Sequence, residues 1–313
     1  MEAKTPTTLR EAITYFADPD NCVAYMVKKR WPLGVTCPRC GNARVTYDAI
    51  SHRWQCSSHH PNRKFSLKTG TVLEDSPLGL DKWLPVIWLV TNCKNGVSSW
   101  EIHRAMGVTQ KTAWFMLQRA RLALQGKNGG KLSGEIEADE TLIGGKARNM
   151  HPGRREKARG RADFGKTIVA AVLERGGEVR ATVVKTRRKH ELQELVRENV
   201  EVGADLYTDE LKSYDGLTEY RHEVINHAVT YVNGQIHTNG MENFWSLLKR
   251  GLKGTYVSVE PFHLFRYIDE QVFRYNNRRD MNDAERFDLA VSQIVGKRLM
   301  YKELIGKADE EPF

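Results

Sequence analysis

EIEADETLIGG, residues 135 to 145, alternates apolar and polar side chains and closes on a Gly-Gly pair, the pattern of a half-buried β-strand. On such a strand Glu137, Asp139 and Thr141 share one face, and Ile136, Ala138 and Leu142 share the other. Asp139 therefore stands mid-strand among β-formers, an unfavourable place for a carboxylate with no task. Beyond it, KTIVAAVLER (166–175) and GEVRATVVKTR (177–187) read as two strands joined by a Gly-Gly turn. KHELQELVREN (189–199) reads as a helix, and ADLYTDE (204–210) as a short strand ending in acids. MENFWSLLKRGLK (241–253) and FHLFRYIDEQVFRYNNR (262–278) carry helical periodicity.

Three strands, a helix, a strand and then helices is the order of an RNase H-like α/β domain. Its acids are candidates for chemistry. Asp139 lies in the first strand, Asp209 ends the fourth, and Glu242 opens a helix, with gaps of 70 and 33 residues. Phosphodiester cleavage gives a reason for three acids to converge. Two divalent ions about 4 Å apart can activate the attacking oxygen and stabilise the leaving one. Magnesium prefers hard oxygen ligands and keeps several waters, so two or three carboxylates suffice. Each acid also has a purely structural reading. Asp209 could cap a short helix at 210–215, Glu242 could close a capping box with Asn239, and Asp139 could sit on a wet edge strand.

The amino-terminal third points to a different metal. CPRCG at 37–41 places two thiolates on one tight turn, as in zinc knuckles. Fifteen residues separate Cys40 from Cys56, and RVTYDAISHRWQC between them reads as a hairpin. After Cys56 the chain reads CSSHHP, so His59 or His60 must supply a fourth ligand, with His60 preferred. Cys22 and Cys93, in apolar helical surroundings, are expected in the core. Residues 8 to 30 read as short amphipathic helices broken by Asp18-Pro19-Asp20.

DKWLPVIWLVTN (81–92) reads as a buried helix. VSSWEIHRAMGVTQKTAWFMLQRARLAL (97–124) then divides into two helices about Gly107-Val108, with Thr109 as N-cap of the second: a helix-turn-helix. Ile102, Val108, Ala113 and Leu117 should face inward, while Gln110, Lys111 and Thr112 project from the first turn, where a recognition helix meets DNA.

Charge agrees with a polyanionic partner. Lys and Arg outnumber Asp and Glu by 48 to 39. The stretch 146–166 holds eight Lys or Arg and two acids, and Arg154, Arg155, Arg159 and Arg161 are its candidate phosphate contacts. Smaller clusters occur at 185–189, 249–250 and 278–279. Five cysteines and a polar amino terminus argue against a disulfide framework. The longest apolar run, Trp83 to Val90, is far short of the ~20 residues of a membrane span, so a cytoplasmic, nucleoid-associated protein is expected.

Several long, ordered runs resemble one family: CPRCG at 37, FSLKTGTVLEDSPL at 65, NGVSSWEIHRAMGVTQKTAWFML at 95, EADETLIGG at 137, YTDELKSYDGL at 207 and HTNGMENFWSLLKRGLKGTY at 237. The chain resembles the DDE transposases of bacterial insertion sequences that carry an amino-terminal zinc ribbon. That resemblance spans roughly residues 10 to 305. It implies a retroviral-integrase-like core, catalytic Mg²⁺ or Mn²⁺, structural Zn²⁺, and action on the element's terminal inverted repeats and on target DNA. A homodimer or larger assembly is implied, since two element ends must meet. The family's two aspartates fall on Asp139 and Asp209. Its third position is Glu or Asn, often followed along the helix by Lys; Glu242 with Lys249 fits, and Asn239 and Asn243 are the rivals. The alternatives are a non-enzymatic DNA-binding regulator and a structure-specific nuclease. The expected organisation is a helical segment (1–33), a zinc ribbon (34–72), a helix-turn-helix (78–125) and a linker (126–134). The catalytic domain (135–280), with its basic insertion at 146–166, and a carboxy-terminal extension (281–313) follow.

Overall fold

The structure is a computed structural model; it describes residues 5–126, 129–145, 149–157, 159, 163–224 and 238–306. The chain divides into two compact units, Met1–Gly126 with Asn277–Phe313, and Lys127–Asn276.

In the first unit, α1 (Leu9–Phe16) begins with a capping box in which Thr8 and Glu11 satisfy each other's backbone. Asp18 caps α2 (Pro19–Arg30), and Pro19 occupies its first turn, where a missing N–H costs nothing. Three short strands, β1 (Val45–Asp48), β2 (Arg53–Cys56) and β3 (Lys64–Phe65), pair antiparallel in that order. Trp54 of β2 and Phe65 of β3 stack with centroids 6.0 Å apart. The helix α3 (Leu80–Asn92) follows, then α4 (Ser99–Met106) and α5 (Gln110–Leu124).

The turn between α4 and α5 takes the expected form. Gly107 ends α4 at φ 61°, a left-handed position that glycine adopts without Cβ strain. Ser98 and Glu101 form a capping box at the start of α4, and Thr109 accepts from Thr112 N at the start of α5. Ile102, Val108, Ala113 and Leu117 are all buried.

The second unit is built on one mixed sheet. It contains β4 (Glu135–Ile143), the short α6 (Pro152–Lys157), β5 (Thr167–Glu174), β6 (Val179–Val184), α7 (Lys189–Asn199), β7 (Asp205–Thr208), β8 (Arg221–Val224), α8 (Asn239–Arg250) and α9 (Leu264–Asn276). The strand order is β6-β5-β4-β7-β8; β6, β5 and β4 pair antiparallel, and β4, β7 and β8 pair parallel. This is the RNase H-like α/β architecture the sequence implies. Strand β8 has no counterpart in the sequence reading: RHEV is too short and too polar to alternate.

Side-chain alternation sends the two faces of the sheet to different helices. Ile136, Ala138, Ala170, Val172 and Leu206 pack with Leu192 and Val196 of α7. Val169, Ala171 and Leu173 pack with Met241, Phe244, Trp245 and Leu248 of α8. Each Val, Leu, Phe or Met among them contributes about 1.5–3 kcal/mol when fully buried, so α8 is fixed on the face that bears Asp139.

After Asn276 the chain returns to the first unit through α10 (Asp283–Ser292) and α11 (Tyr301–Leu304). Phe287 of α10 completes an aromatic cluster, 5.6 Å from Phe16, 5.6 Å from Tyr25 and 5.0 Å from Trp88. Tyr25 and Lys29 both bond Asp288. Cys22 is buried as expected, and its Sγ lies 3.1 Å from Phe16 O. Cys93 is not a core residue: it is the half-exposed C-cap of α3, past the last turn of the helix.

Candidate active site

Strand pairing brings Asp139 and Asp209 together. The parallel register of β4 and β7 runs from Glu135 opposite Asp205 to Ala138 opposite Thr208. Asp139 is the next residue of β4 and Asp209 directly follows the end of β7, on strands that lie about 4.8 Å apart, and the charge of Asp209 acts on the Asp139 carboxyl. Both carboxylates are half-buried.

Each is held by neighbours that leave room for a further ligand. Glu140 N donates to Asp139 Oδ1 at 2.8 Å, and Trp245 Nε1 donates to Asp139 Oδ2 at 2.9 Å. A carboxylate oxygen has two lone-pair directions, so each oxygen keeps one free. Asp209 Oδ1 accepts from Leu211 N at 3.1 Å. That bond tightens the turn into the 3-10 segment Lys212–Tyr214, the realised form of the short helix expected at 210–215. It occupies one oxygen of Asp209 only.

Burial pushes the Asp139 carboxyl up to about 6; Trp245 opposes this and the charge of Asp209 adds to it. A half-buried carboxylate beside a second negative charge suits a divalent cation, which relieves both the repulsion and the lost hydration. The donor set is oxygen only, as Mg²⁺ and Mn²⁺ prefer.

Helix α8 carries the third candidate acid, Glu242. Trp245 anchors the helix to Asp139; Glu242 is one turn before it and Lys249 one turn after, all on one side of the helix. Burial lowers the Lys249 ammonium pKa, while the negative charge of Asp139 raises it. The capping reading of Glu242 is not realised. The N-cap is Thr238, and Asn239 is already helical. Glu137 of β4 serves this helix end instead: it is 1% exposed, accepts from Met241 N at 2.8 Å and pairs with Arg175 Nε at 3.0 Å. Gly240 permits the approach, since a Cβ there would stand 2.8 Å from Glu137 Oε2 and 2.9 Å from Leu173 Cδ2. The exposed Glu242 carboxylate makes no hydrogen bond or ion pair to a described residue.

Sequence reasoning missed Trp245 and Glu140. A buried tryptophan reads as core, and only the fold shows its N–H aimed at Asp139. Glu140 points to the opposite face, where Tyr214 donates to it at 3.2 Å and Arg187 lies 3.5 Å away. Burial, with help from Asp209 and Asp139, pushes Glu140 up to about 7.

The sulfur site is separate and closed. Ligand atoms of Cys37, Cys40, Cys56 and His60 all lie within 4.8 Å of one another. Cys40 and Cys56 Sγ are 3.6 Å apart, and Cys37 Sγ is 3.5 Å from His60 Nε2. Tetrahedral zinc with bonds near 2.3 Å requires sulfur separations of about 3.8 Å, so the four atoms fit it. His60 Nδ1 lies 2.8 Å from Pro61 O, so donation to that carbonyl would leave Nε2 free for metal. His59 lies outside the cluster, and the choice left open by spacing falls to His60.

The remaining candidate residues are spread out. Gln110 turns back to donate to Ser99 Oγ at 2.8 Å, and Thr112 Oγ1 is 2.8 Å from Thr109 Oγ1, so both help fix the inter-helix turn. Lys111 is exposed, with its ammonium 5.5 Å from the Tyr301 ring centre. Arg155 and Arg159 are exposed; the Arg154 side chain and the whole of Arg161 lie outside the described residues. No helix among the described residues is long and apolar enough to cross a membrane.

Comparison with known proteins finds transposases. The profile of the ISXO2-like transposase domain matches residues 131–276, and that of the transposase zinc-ribbon domain matches residues 17–58. An uncharacterized transposase-like protein of Haemophilus influenzae is 32% identical over 102 residues, covering 32% of this chain and 82% of that protein. The chain belongs to the ISXO2-like transposase family. An uncharacterized protein in transposable element ISH50 of Halobacterium salinarum is 28% identical over 255 residues, 77% of this chain and 85% of its own length. The matched domain begins just before β4 and ends with α9, so it holds Asp139, Asp209, Glu242, Trp245 and Lys249 within one family unit.

Proposed function

We propose that this chain cuts and joins DNA strands at the ends of an insertion sequence, using Asp139, Asp209 and Glu242 to hold divalent metal. The observation that carries this reading is the register placing Asp139 beside Asp209 under a helix anchored by Trp245. Bound Mg²⁺ or Mn²⁺ would supply a Lewis acid for the attacking and leaving oxygens of a phosphodiester. The chain's own residues do the rest. Asp139 and Asp209 present oxygen ligands at a fixed spacing, Trp245 orients one of them, and Lys249 brings a cation to the same helix face.

The sulfur cluster takes a structural Zn²⁺, which contributes folding energy to a small head. Terminal inverted repeats and target DNA are the substrates. Lys111 at the start of α5, with Gln110 and Thr112 shaping the turn, contacts the repeats. The basic insertion at Arg154, Arg155, Arg159 and Arg161 contacts backbone phosphates. The chain works as a dimer or larger assembly, because two ends are joined together.

The test is a pre-cut terminal-repeat duplex incubated with target DNA and Mg²⁺ or Mn²⁺. Joined product from the wild type, lost in Asp139→Asn, is expected. Cleavage without joining would indicate a nuclease; DNA binding with no metal-dependent product would indicate a regulator.

A further inference from the structure

The stretch from the end of β6 to the first residue of α7 reads Lys185-Thr-Arg-Arg-Lys189, four cations in five residues. It is neither an insertion nor a loosely held tail. Glu191 accepts from Lys185 N and Thr186 N, both at 2.9 Å, and from Thr186 Oγ1 at 2.8 Å. Ser213 Oγ donates to Arg187 O at 2.6 Å, tying the loop to the segment that follows Asp209. Gln193 Nε2 in turn donates to Ser213 O at 3.2 Å and Asp215 O at 2.9 Å. The backbone is thus pinned from two directions, and the Glu191 carboxylate is engaged in doing so.

Location gives the loop its interest. Strands β4 and β7 run parallel, and β6 runs the same way across the antiparallel β5, so all three end at one edge of the sheet. Asp209 and the loop both follow directly from strands that end there, which is where ligands of open α/β sheets commonly bind. Arg187 reaches back over this edge to Glu140, the neighbour of Asp139, at 3.5 Å; its own side chain remains 39% exposed. Lys185, Arg188 and Lys189 are exposed and have no ion-pair partner among the described residues. Stability does not call for this charge, since adjacent cations repel one another and the positive end of α7 disfavours them.

We propose that Lys185, Arg187, Arg188 and Lys189 form a phosphate-binding edge that holds the backbone of a DNA strand beside the catalytic carboxylates. The inference rests on the reading of the chain as a DNA strand transferase and adds a substrate-holding surface to it. Arg187 is pre-oriented by a buried carboxylate and offers its remaining N–H groups to a phosphate oxygen. The other three act as exposed point or fork charges that displace counterions from the strand.

The experiment uses the full chain with Lys185→Gln, Arg188→Gln and Lys189→Gln combined, leaving the Arg187–Glu140 pair intact. Fluorescence anisotropy against salt is measured with Ca²⁺, on a labelled terminal-repeat duplex and on a duplex of unrelated sequence, beside a thermal melt. With an unchanged melt, log K against log salt should flatten by roughly 0.9 per lost contact, and affinity near 0.15 M salt should fall by about tenfold or more. Loss on the repeat duplex alone would assign the edge to the element end. Equal loss on both would assign it to DNA held without regard to sequence. Exchanging the three residues for the other cation (Lys185→Arg, Arg188→Lys, Lys189→Arg) should retain binding. If the triple variant melts early, Arg188→Gln alone should still flatten the slope by about 0.9. Unchanged slopes on both duplexes, with wild-type protein that binds and joins DNA, would overturn this inference and leave the transferase reading standing. Wild-type protein that fails to join a pre-cut end would instead overturn that reading.

Discussion

The two metal-type sites of this chain are opposites in construction. The sulfur cluster draws its ligands from 24 consecutive residues, Cys37 to His60, on short strands and turns that bury little besides Trp54 and Phe65. The candidate carboxylates stand far apart in sequence, at 139, 209 and 242; a five-stranded sheet with helices on both faces carries Asp139 on β4 and Asp209 just after β7, and α8 carries Glu242. In the first, three thiolates and an imidazole are grouped to close around an ion, and binding there would be largely folding. In the second, the candidate hard ligands are held by packing that owes nothing to metal, and the proposed ion would keep open coordination positions for substrate and water. A site that depends on its ion for shape cannot readily exchange ligands during a reaction; a site shaped by the fold can.

That contrast can be broken most decisively at the carboxylates. Asp139→Asn and Asp209→Asn should each abolish strand cleavage and joining by orders of magnitude, because each removes a charge that holds metal against water. The fold should survive both, as judged by circular dichroism. A variant that loses activity only by unfolding would erase the distinction between the sites.

At the sulfur cluster the expected result reverses. Structural zinc in small domains contributes about 10 kcal/mol or more of apparent binding energy. His60→Ala or a strong chelator should therefore release about one zinc per chain and unfold the ribbon, while His59→Ala should retain metal. Elemental analysis with hydrogen exchange over residues 37–65 checks this. Zinc retained in His60→Ala and lost in His59→Ala would reverse the ligand assignment.

A smaller effect sharpens the same comparison through pH. Asp139 and Glu140 are pushed up to about 6 and about 7, above their unfolded-chain values, so the folded state binds their protons more tightly. The stability this linkage gives is fully present below the unfolded pKa values near 4, and is lost as pH rises through 6 to 7. Magnesium-free protein should thus melt lower at pH 8 than at pH 5.5, and Mg²⁺ should raise Tm more at pH 8. Asp139→Asn should raise the Mg²⁺-free Tm at pH 8, by roughly 2–4 °C for each kcal/mol of strain removed. Equal Mg²⁺ shifts at both pH values would contradict the geometry.

What the sequence made legible follows from the range of each signal. Strand β4 announced itself by alternation, the α4–α5 turn by Gly107 and Thr109, and the knuckle by the spacing of Cys37 and Cys40; each of these is a local pattern. The pairing of Asp139 with Asp209 was readable only as an expectation, because register between strands 70 residues apart has no local mark. Trp245, Glu137 and Gly240 were silent for the same reason. Their tasks exist only once α8 lies on β4, and amphipathic periodicity reveals that a helix has a buried face without revealing what that face meets. Helix α10 illustrates the same gap, since its return to the aromatic cluster of the first unit depends on Phe287 finding Phe16, Tyr25 and Trp88.

The central claim turns on Glu242, the one acid whose partners are not fixed by the sheet. With Glu137 already serving the amino end of α8, Glu242 has no capping bond to lose. The direct measurement is joining of a pre-cut terminal-repeat duplex to target DNA by Glu242→Gln, with Mg²⁺ or Mn²⁺, beside its thermal melt. The account predicts a normal melt and joining reduced by orders of magnitude, as for Asp139→Asn. A Glu242→Gln protein that melts normally and joins strands at the wild-type rate would contradict it and pass the third position to Asn239 or Asn243.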